Sequence, residues 1–281
     1  MTLLRDEGRQ PRLIVLENVV GAITSREGQD FEALCHALAN AGYHYGAVVI
    51  DARHFVPQSR PRLFFIAVAE DIATPTNLTH RIHDELWHPR ALRDAQARLN
   101  GKAKEQWVWW RMEKPAARNG GFGDIIEEKP NGCRWHSETE TQRLLGMMAP
   151  LHLAKIEQAR ASGEKHVGGV YKRTRSDANG IKRQRAEIRF DNIAGCLRTP
   201  AGGSSRQAIV VVEGAATRSR LLSPREAARL MGLSDEYKLP ERYNDAYHVA
   251  GDGVCVPVVR YIASQLVEPI LAGITEARVA A

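Results

Sequence analysis

Apolar and polar positions along the chain change period several times. Residues 13–16, Leu-Ile-Val-Leu, form a short continuous apolar run that ends in Glu17-Asn18-Val19 and then Gly21. A run apolar on both faces predicts a buried strand, most often of a parallel sheet. Over residues 28–41, Phe31, Leu34, Cys35 and Leu38 recur at helical spacing, and Gly42 follows as a C-terminal stop. Residues 45–50 and 62–68 read as two further strands joined by a loop over 51–61. Strand, helix, strand, loop, strand is half of an α/β sandwich. A sheet of about three strands, the first apolar on both faces, leaves an uncovered hydrophobic edge. Something must therefore cover residues 13–16. The dozen residues before Leu13 are too few for another strand–helix unit.

The pattern changes from about residue 75 to 220, with Pro- and Gly-rich breaks and an aromatic cluster at Trp107, Trp109 and Trp110. The cluster reads as the core of a smaller domain more readily than as a base-stacking platform. Ser137-Glu138-Thr139-Glu140 fits a capping box opening a helix through Leu144, Leu145 and Met148. Pro150 breaks that helix, and a second one runs to Gly163. A hairpin is expected with Gly202-Gly203 near its turn and residues 208–212 as a strand. Further on, Ser223-Pro224-Arg225-Glu226 is a helix start with serine at the cap, proline in the first turn and glutamate closing the box. Ala227, Leu230 and Met231 follow, and Gly232 ends the helix. Pro257 opens a final helix whose apolar stripe runs through Val258, Val259, Ile262, Ala263, Leu266, Val267, Ile270 and Leu271. The expected divisions are 1–75, 76–235 and 236–281.

Composition narrows the class. The 281 residues are 43% hydrophobic and 26% charged, ordinary for a globular protein. No run of about 18 apolar residues suggests a membrane span, and the N-terminus lacks the apolar core of a signal peptide. Cys35, Cys133, Cys196 and Cys255 are scattered, with no Cys-x-x-Cys, so neither a metal site nor a disulfide framework is expected. A reducing compartment, hence the cytoplasm, follows from that usage. Residues 165–189 hold eight basic and two acidic residues, an excess equal to the net charge of +6 for the whole chain. Such a segment is either a solvated basic loop or a surface for a polyanion such as nucleic acid.

Two short motifs carry candidate chemistry. Glu17-Asn18 at the end of an apolar strand is a candidate acid, base or hydrogen-bond anchor, since ligands of open α/β sheets bind beyond the carboxyl ends of the strands. Taken alone it is more often a strand-end residue capping the next helix. In Gln58-Ser59-Arg60-Pro61-Arg62, two arginines two apart project to one side, and their planar forks suit carboxylates, phosphates and base edges. Taken alone they are more often a surface pair.

The series decides between these readings. Leu-Glu-Asn-Val at 16–19, Val-Pro-Gln-Ser-Arg-Pro-Arg at 56–62, Leu-Leu-Ser-Pro-Arg-Glu-Ala-Ala-Arg-Leu-Met-Gly at 221–232 and Gly-Asp-Gly-Val-Cys-Val-Pro-Val-Val at 251–259 occur in this order. Together they resemble the C-terminal half of the DNA cytosine-5 methyltransferases, from about residue 10 onward. The resemblance implies a partial doubly wound, Rossmann-like α/β methyltransferase sheet. Residues 1–75 would be its C-terminal half, 76–235 a smaller mixed target-recognition domain and 236–281 a return segment with the final helix.

Roles follow from the same resemblance. Glu17 would hold N3 of a flipped cytosine, Asn18 would shape the pocket, and Arg60 and Arg62 would orient the glutamate and contact the base and backbone. The base must leave the duplex for its C5 and C6 to be reached. Asp252, Gly253 and Val254 would line the S-adenosylmethionine pocket, with Asp252 standing where the family often has Asn. Arg198, Thr199, Gly202, Gly203, Ser204, Ser205 and Arg206 would face double-stranded DNA.

Two family motifs are absent from the 281 residues. There is no Phe-x-Gly-x-Gly loop, and the four cysteines follow Leu, Gly, Gly and Val, so no Pro-Cys pair supplies the nucleophile that adds to C6. The expectation is a C-terminal part or subunit of a methyltransferase, inactive alone. An N-terminal methyltransferase polypeptide would bring the nucleophile and most of the S-adenosylmethionine site, in a restriction–modification setting. The competing expectation is a non-catalytic DNA-binding remnant, with the basic segment on phosphates and Arg198, Thr199, Ser204, Ser205 and Arg206 on base edges.

Overall fold

In the computed structural model, β1 (Leu13–Val19), β2 (Tyr43–Asp51) and β3 (Pro61–Ala69) form a three-stranded sheet in the order β1-β3-β2. Leu4 and residues 7–176, 179–198 and 206–279 are described. Both pairings are antiparallel, so β1 lacks the parallel neighbour that the apolar run suggested, although β1 and β2 run in the same direction on either side of β3. An apolar run reports burial, and burial does not fix strand direction. β1 also extends beyond the run to Val19, and it is an edge strand: Val15, Leu16 and Val19 are 42%, 37% and 52% exposed. Helix α1 (Gln29–Asn40) buries Phe31, Cys35 and Leu38, with Phe31 packed 5.5 Å from Phe65 of β3. Gly42, with φ of +80°, ends it as the spacing predicts.

The far edge of the sheet is covered. Residues 87–110, including α2 (Arg90–Arg98) and α3 (Gly101–Glu105), run beside β2. The Val49 amide donates to Trp87 O at 2.8 Å, the Tyr45 amide to Gln106 O at 3.0 Å, and the Val108 amide to Tyr45 O at 2.7 Å. The short pair β4 (Thr79–His80) and β5 (Trp109–Trp110) closes this strap. Trp110 is fully buried and donates its indole N–H to Ile66 O of β3 at 3.2 Å. Gly46 makes the approach possible, since a Cβ there would lie 2.0 Å from Val108 O. The tryptophans therefore pack on the sheet of the first unit, where the sequence had placed them in the recognition domain.

Two compact units divide the chain. The first is Met1–Asp51, Pro61–Ala116 and Val258–Ala281, and the second is Ala52–Arg60 with Ala117–Pro257. The divisions expected at 75 and 235 thus fall elsewhere, because the strap hydrogen-bonds to β2 and carries the chain in the first unit on to residue 116. In the final helix Val258, Ile262, Leu266 and Ile270 are buried, while Val259 and Leu271 are exposed. The helix widens into a π turn at Ala263–Val267. Pro269 has no N–H to give the Gln265 carbonyl, and the wider turn relieves that gap. Although the sequence showed no apolar span, the helical stretch Tyr243–Gly273 is long and apolar enough to cross a membrane. It is interrupted at residues 253–255.

The second unit is built on an antiparallel sheet of β6 (Lys165–Ser176), β7 (Lys182–Arg189), β8 (Ala208–Glu213) and β9 (Ala216–Leu221), in the order β7-β6-β8-β9. The basic segment, one of whose readings was a loop, forms β6 and β7. Helices α4 (Glu138–Leu145) and α5 (Pro150–Ala161) bring Leu144, Leu145, Met148 and Ile156 against Val170, Ile188, Val210 and Val212. Both capping boxes form: Ser137 with Glu140, and Ser223 with Glu226 at the start of α6 (Pro224–Leu230). Helix α7 (Tyr243–Asp252) follows.

Buried Arg220 and Glu226 centre this unit. Their forks meet at 2.6 and 2.7 Å with both side chains at zero exposure. Glu226 also accepts from the Glu127 and Ser223 amides, both at 2.7 Å, and Arg220 donates to Leu221 O and Glu127 O. A buried ion pair survives only with its remaining donors and acceptors satisfied, and here they largely are.

Two outcomes follow for the first unit. Gly46→Val should cost about 1–3 kcal/mol and detach the strap, read as a lower thermal midpoint and a red shift of tryptophan emission. His88 is fully buried and accepts from the Asp84 amide at 2.9 Å. Burial lowers its pKa from 6.5 to about 4. Above pH 6.5 the ring is neutral in both states. Between 6.5 and 4 the unfolded chain takes up the proton first, so stability falls with pH by up to about 3 kcal/mol. In His88→Asn, whose carbonyl can take the same amide without titrating, thermal midpoints should fall less steeply across that window.

Candidate active site and recognition segment

Glu17 sits in the last third of β1, not beyond its end. The register sets Val19 opposite Arg62 and Glu17 opposite Phe64, so Glu17 and Arg62 are diagonal neighbours on one face. A long side chain bridges such a diagonal. Arg62 Nε lies 2.8 Å from Glu17 Oε1, with the two side chains 16% and 28% exposed. Arg62 also donates to Pro61 O at 3.0 Å. Exposed pairs of this kind contribute at most about 1 kcal/mol. Their effect is orientation: the guanidinium fixes one carboxylate oxygen. Asn18 points to the opposite face and accepts the Val19 amide at 2.8 Å. Beyond β1 the backbone enters two 3-10 turns in which Arg26 and Glu27 have φ of +47° and +62°, a conformation costly for non-glycine residues.

Arg60 precedes β3 and belongs to the second unit. It is 4% exposed, and its fork spans three carbonyls: Leu197 O at 3.1 Å, Gly251 O at 3.1 Å and Gly253 O at 2.9 Å. The partners implied by the resemblance, a glutamate and a base, are replaced here by main-chain oxygens. The planar fork of an arginine ties main-chain segments together in this way as readily as it orients a carboxylate.

Gln58, given no role from sequence, completes the clamp. It is fully buried, donates to Leu230 O at 2.7 Å and accepts the Leu197 amide at 3.0 Å. The Ser59 amide donates to Ala194 O at 2.9 Å, and the Ala194 amide to Pro57 O at 2.7 Å. Residues 57–60 thereby hold 194–197, directly before the segment expected to face DNA. The signal for Gln58 was its place in Gln-x-Arg-x-Arg, but its partners are remote in sequence.

Within that segment Thr199, Gly202, Gly203, Ser204 and Ser205 lie outside the described residues. The same holds for the hairpin turn expected at 202–203. β8 forms a hairpin with β9, turning at Gly214. Arg198 is exposed. Arg206 is held inward, donating to Asn244 Oδ1 at 2.5 Å with its guanidinium 5.3 Å from the Tyr243 ring.

Asp252 ends α7, and Gly253 caps it with a carbonyl that accepts from Arg60. Asp252 and Val254 are exposed. These three positions offer one carboxylate and backbone edges without an enclosing wall, so the described residues do not by themselves fit S-adenosylmethionine. Among the described residues no cluster of three or more metal-ligating side chains occurs. Burial pushes the Cys35 thiol up to about 12 and also raises that of Cys133. Neither is poised as a thiolate nucleophile.

With this geometry in hand, likeness to known proteins is informative. A family model described as C-5 cytosine-specific DNA methylase matches residues 7–268. The chain belongs to this family. The type II methyltransferase M.NlaX of Neisseria lactamica is 24% identical over 259 residues, 92% of this chain and 63% of that protein. The DNA-cytosine methyltransferase of Escherichia coli K12 is 24% identical over 285 residues, 94% of this chain and 51% of that one. Among solved structures, the Schizosaccharomyces pombe (S. pombe) Dnmt2 methyltransferase aligns with a TM-score of 0.47 at 16% identity, over 92% of this chain and 67% of that chain. The chain thus spans between about half and two thirds of these curated relatives.

The clamp makes a local prediction. Gln58→Leu should leave the Leu197 amide without its acceptor at a cost of about 1–3 kcal/mol. Hydrogen exchange at 194–197 should quicken roughly 10-fold or more, while exchange in β1–β3 stays unchanged.

Proposed function

We propose that these residues supply the base-holding and DNA-recognition part of a DNA cytosine-5 methyltransferase. The enzyme would transfer a methyl group from S-adenosylmethionine to C5 of a cytosine everted from a specific duplex sequence, as in restriction–modification. The observation that carries this reading is the Glu17–Arg62 pair on neighbouring strands within a chain of this family. With one oxygen fixed by Arg62, the other Glu17 oxygen is available to N3 of the base. Donation or a strong hydrogen bond there withdraws electrons from C6, so that a thiolate can add and leave C5 nucleophilic. The methyl moves to C5, the C5 proton is lost, and the thiolate is expelled.

No Pro-Cys pair and no Phe-x-Gly-x-Gly loop occur among the 281 residues, and on this reading both are supplied by polypeptide outside them. The relatives are single chains, which lends no support to a separate partner subunit. The proposal therefore asks only that the remaining elements be supplied, within one polypeptide or by another. The open side of β1 supports this. Leu13, Val15 and Leu16, with Leu34 and Leu38 of α1, line an apolar groove of about 790 Å³. An edge strand with exposed apolar side chains is a template for a further strand.

The test measures transfer of labelled methyl to duplex DNA by this chain together with a polypeptide bearing the Gly-rich loop and Pro-Cys. Transfer should require both, and Glu17→Gln should lower kcat by about 10²–10⁴-fold while duplex binding is kept. A stable complex without transfer, or full activity of Glu17→Gln, would overturn the reading. Retained duplex binding in the first case would leave a non-catalytic DNA-binding protein.

A further inference from the structure

At the end of the first unit's sheet away from Glu17 and Arg62, the strap and the strand ends border an open cavity of about 730 Å³. His44 of β2, in its lining, pairs with Val68 of β3. Val68 lies roughly 20 Å along that strand from Arg62. Neither the candidate active site nor the 194–206 segment contributes to the lining, and a cavity of this size accommodates a small molecule. Trp107 and Trp109 both line it and are half-buried. Their ring centroids are 5.3 Å apart with planes at 74°, so neither indole covers the other. They make a corner in which a flat ring can lie against one wall with its edge to the other.

Charge selects among flat ligands. Among the described lining residues Glu70 is the one carboxylate, and it is already held by Lys102 Nζ at 3.0 Å and Gln106 Nε2 at 2.7 Å. Arg81, also in the lining, is exposed and has no ion pair or hydrogen bond among the described residues. The register sets His80 opposite Trp109, so imidazole and indole share one face of the β4–β5 pair. Two more donors, Trp107 Nε1 and Thr74 Oγ1, are buried in the wall without a hydrogen-bond partner. Donors left unmade are costly, and acceptor atoms entering from the cavity would satisfy them. A cation would instead meet Arg81 with its one carboxylate neighbour already paired.

We infer that this cavity binds a purine nucleoside monophosphate. The base lies in the Trp107–Trp109 corner with its acceptors toward Trp107 Nε1 and Thr74, and the phosphate meets Arg81 and His80. Every base offers a flat face to an aromatic wall, and a guanidinium fork suits phosphate. A simple aromatic carboxylate shares the flat ring and the charge but lacks the ring acceptors. The inference does not depend on the methyl-transfer reading, since Glu17 and Arg62 stand at the other end of the sheet.

The test is titration of the full chain with guanosine 5′-monophosphate, followed by calorimetry and by the ¹⁵N-indole resonances of the five tryptophans. Binding should saturate with Kd below about 1 mM. The Trp107 and Trp109 resonances should shift, while that of Trp135, in the second unit, stays in place. Guanosine, ribose 5-phosphate and benzoate should each bind at least about 10-fold more weakly. Arg81→Gln, at an exposed position where the fold is indifferent to it, should weaken the nucleotide about 10-fold and leave guanosine at its parental affinity. Glu17→Gln should change none of these values. The inference is overturned by absence of saturation, by unmoved Trp107 and Trp109 resonances, or by an unchanged nucleotide affinity in Arg81→Gln. Guanosine, ribose 5-phosphate or benzoate binding as tightly as the nucleotide would also overturn it, as would choline shifting the same indoles. A 5′-phosphorylated oligonucleotide that shifts them at lower concentration would make the ligand a strand end and overturn it too.

Discussion

The register of β3 is the constraint on which the candidate site depends. β3 is the central strand, hydrogen-bonded to β1 on one side and β2 on the other. Its pairing with β1 sets Val19 opposite Arg62, and only this setting puts the guanidinium diagonally beside Glu17 on the same face. A slip of one residue would turn every β3 side chain over. Arg62 would then face away from the carboxylate, and Leu63 and Phe65 would exchange faces with Phe64 and Ile66. The residues holding the register are ordinary core residues, Leu63, Phe64, Phe65 and Ile66, each at most 2% exposed. The geometry of a charged pair worth little by itself is therefore enforced by hydrophobic burial worth about 1.5–3 kcal/mol per large side chain.

The two edges of that sheet are managed differently. β2 donates main-chain hydrogen bonds to Trp87 O and Gln106 O and accepts one from the Val108 amide, and Gly46 admits the strap at a distance no side chain would tolerate. β1 among the described residues has β3 on one side and exposed Val15, Leu16 and Val19. Evolved sheets usually blunt an edge with charge, proline or a bulge. β1 has none of these before Glu17. A strand so composed is suited to be covered, and the carboxylate at its far end is then placed at the margin of whatever covers it.

Much of this was legible in the sequence where the signal is local. Both capping boxes, the helix ended by Gly42 and the three strands of the first unit follow from spacing and terminal residues. Strand direction was not legible, because an apolar run at 13–16 reports burial and nothing about its neighbours. The basic segment was ambiguous for another reason. Lys, Arg, Thr and Gln at alternate positions hide the period of two that apolar residues would show, and cross-strand pairing emerges only with the register. The tryptophan cluster was read as the core of the nearer domain, yet its partners, Tyr45 and Ile66, lie some forty to sixty residues earlier in the chain. Family resemblance located Glu17 and Arg62, whereas the carbonyl partners of Arg60 lie more than 130 residues away and leave no trace in local pattern.

Arg60 and Arg62 stand two residues apart and do different work. Arg62 lies within β3, so its direction is set by the pleat and it can reach only a neighbour on the same face. Arg60 stands before the strand begins, free of that alternation, and its planar fork spans carbonyls from two separate segments. Lysine could not substitute there, since a single ammonium offers a point charge where three oxygens must be met in fixed directions. Nor could Arg60 be exposed without losing its effect, because hydrogen bonds to carbonyls gain from exclusion of water. Proline between the two arginines is suited to this division. It fixes the backbone angle at which the chain enters β3, and as the first residue of a strand it gives up no hydrogen bond that an interior position would need.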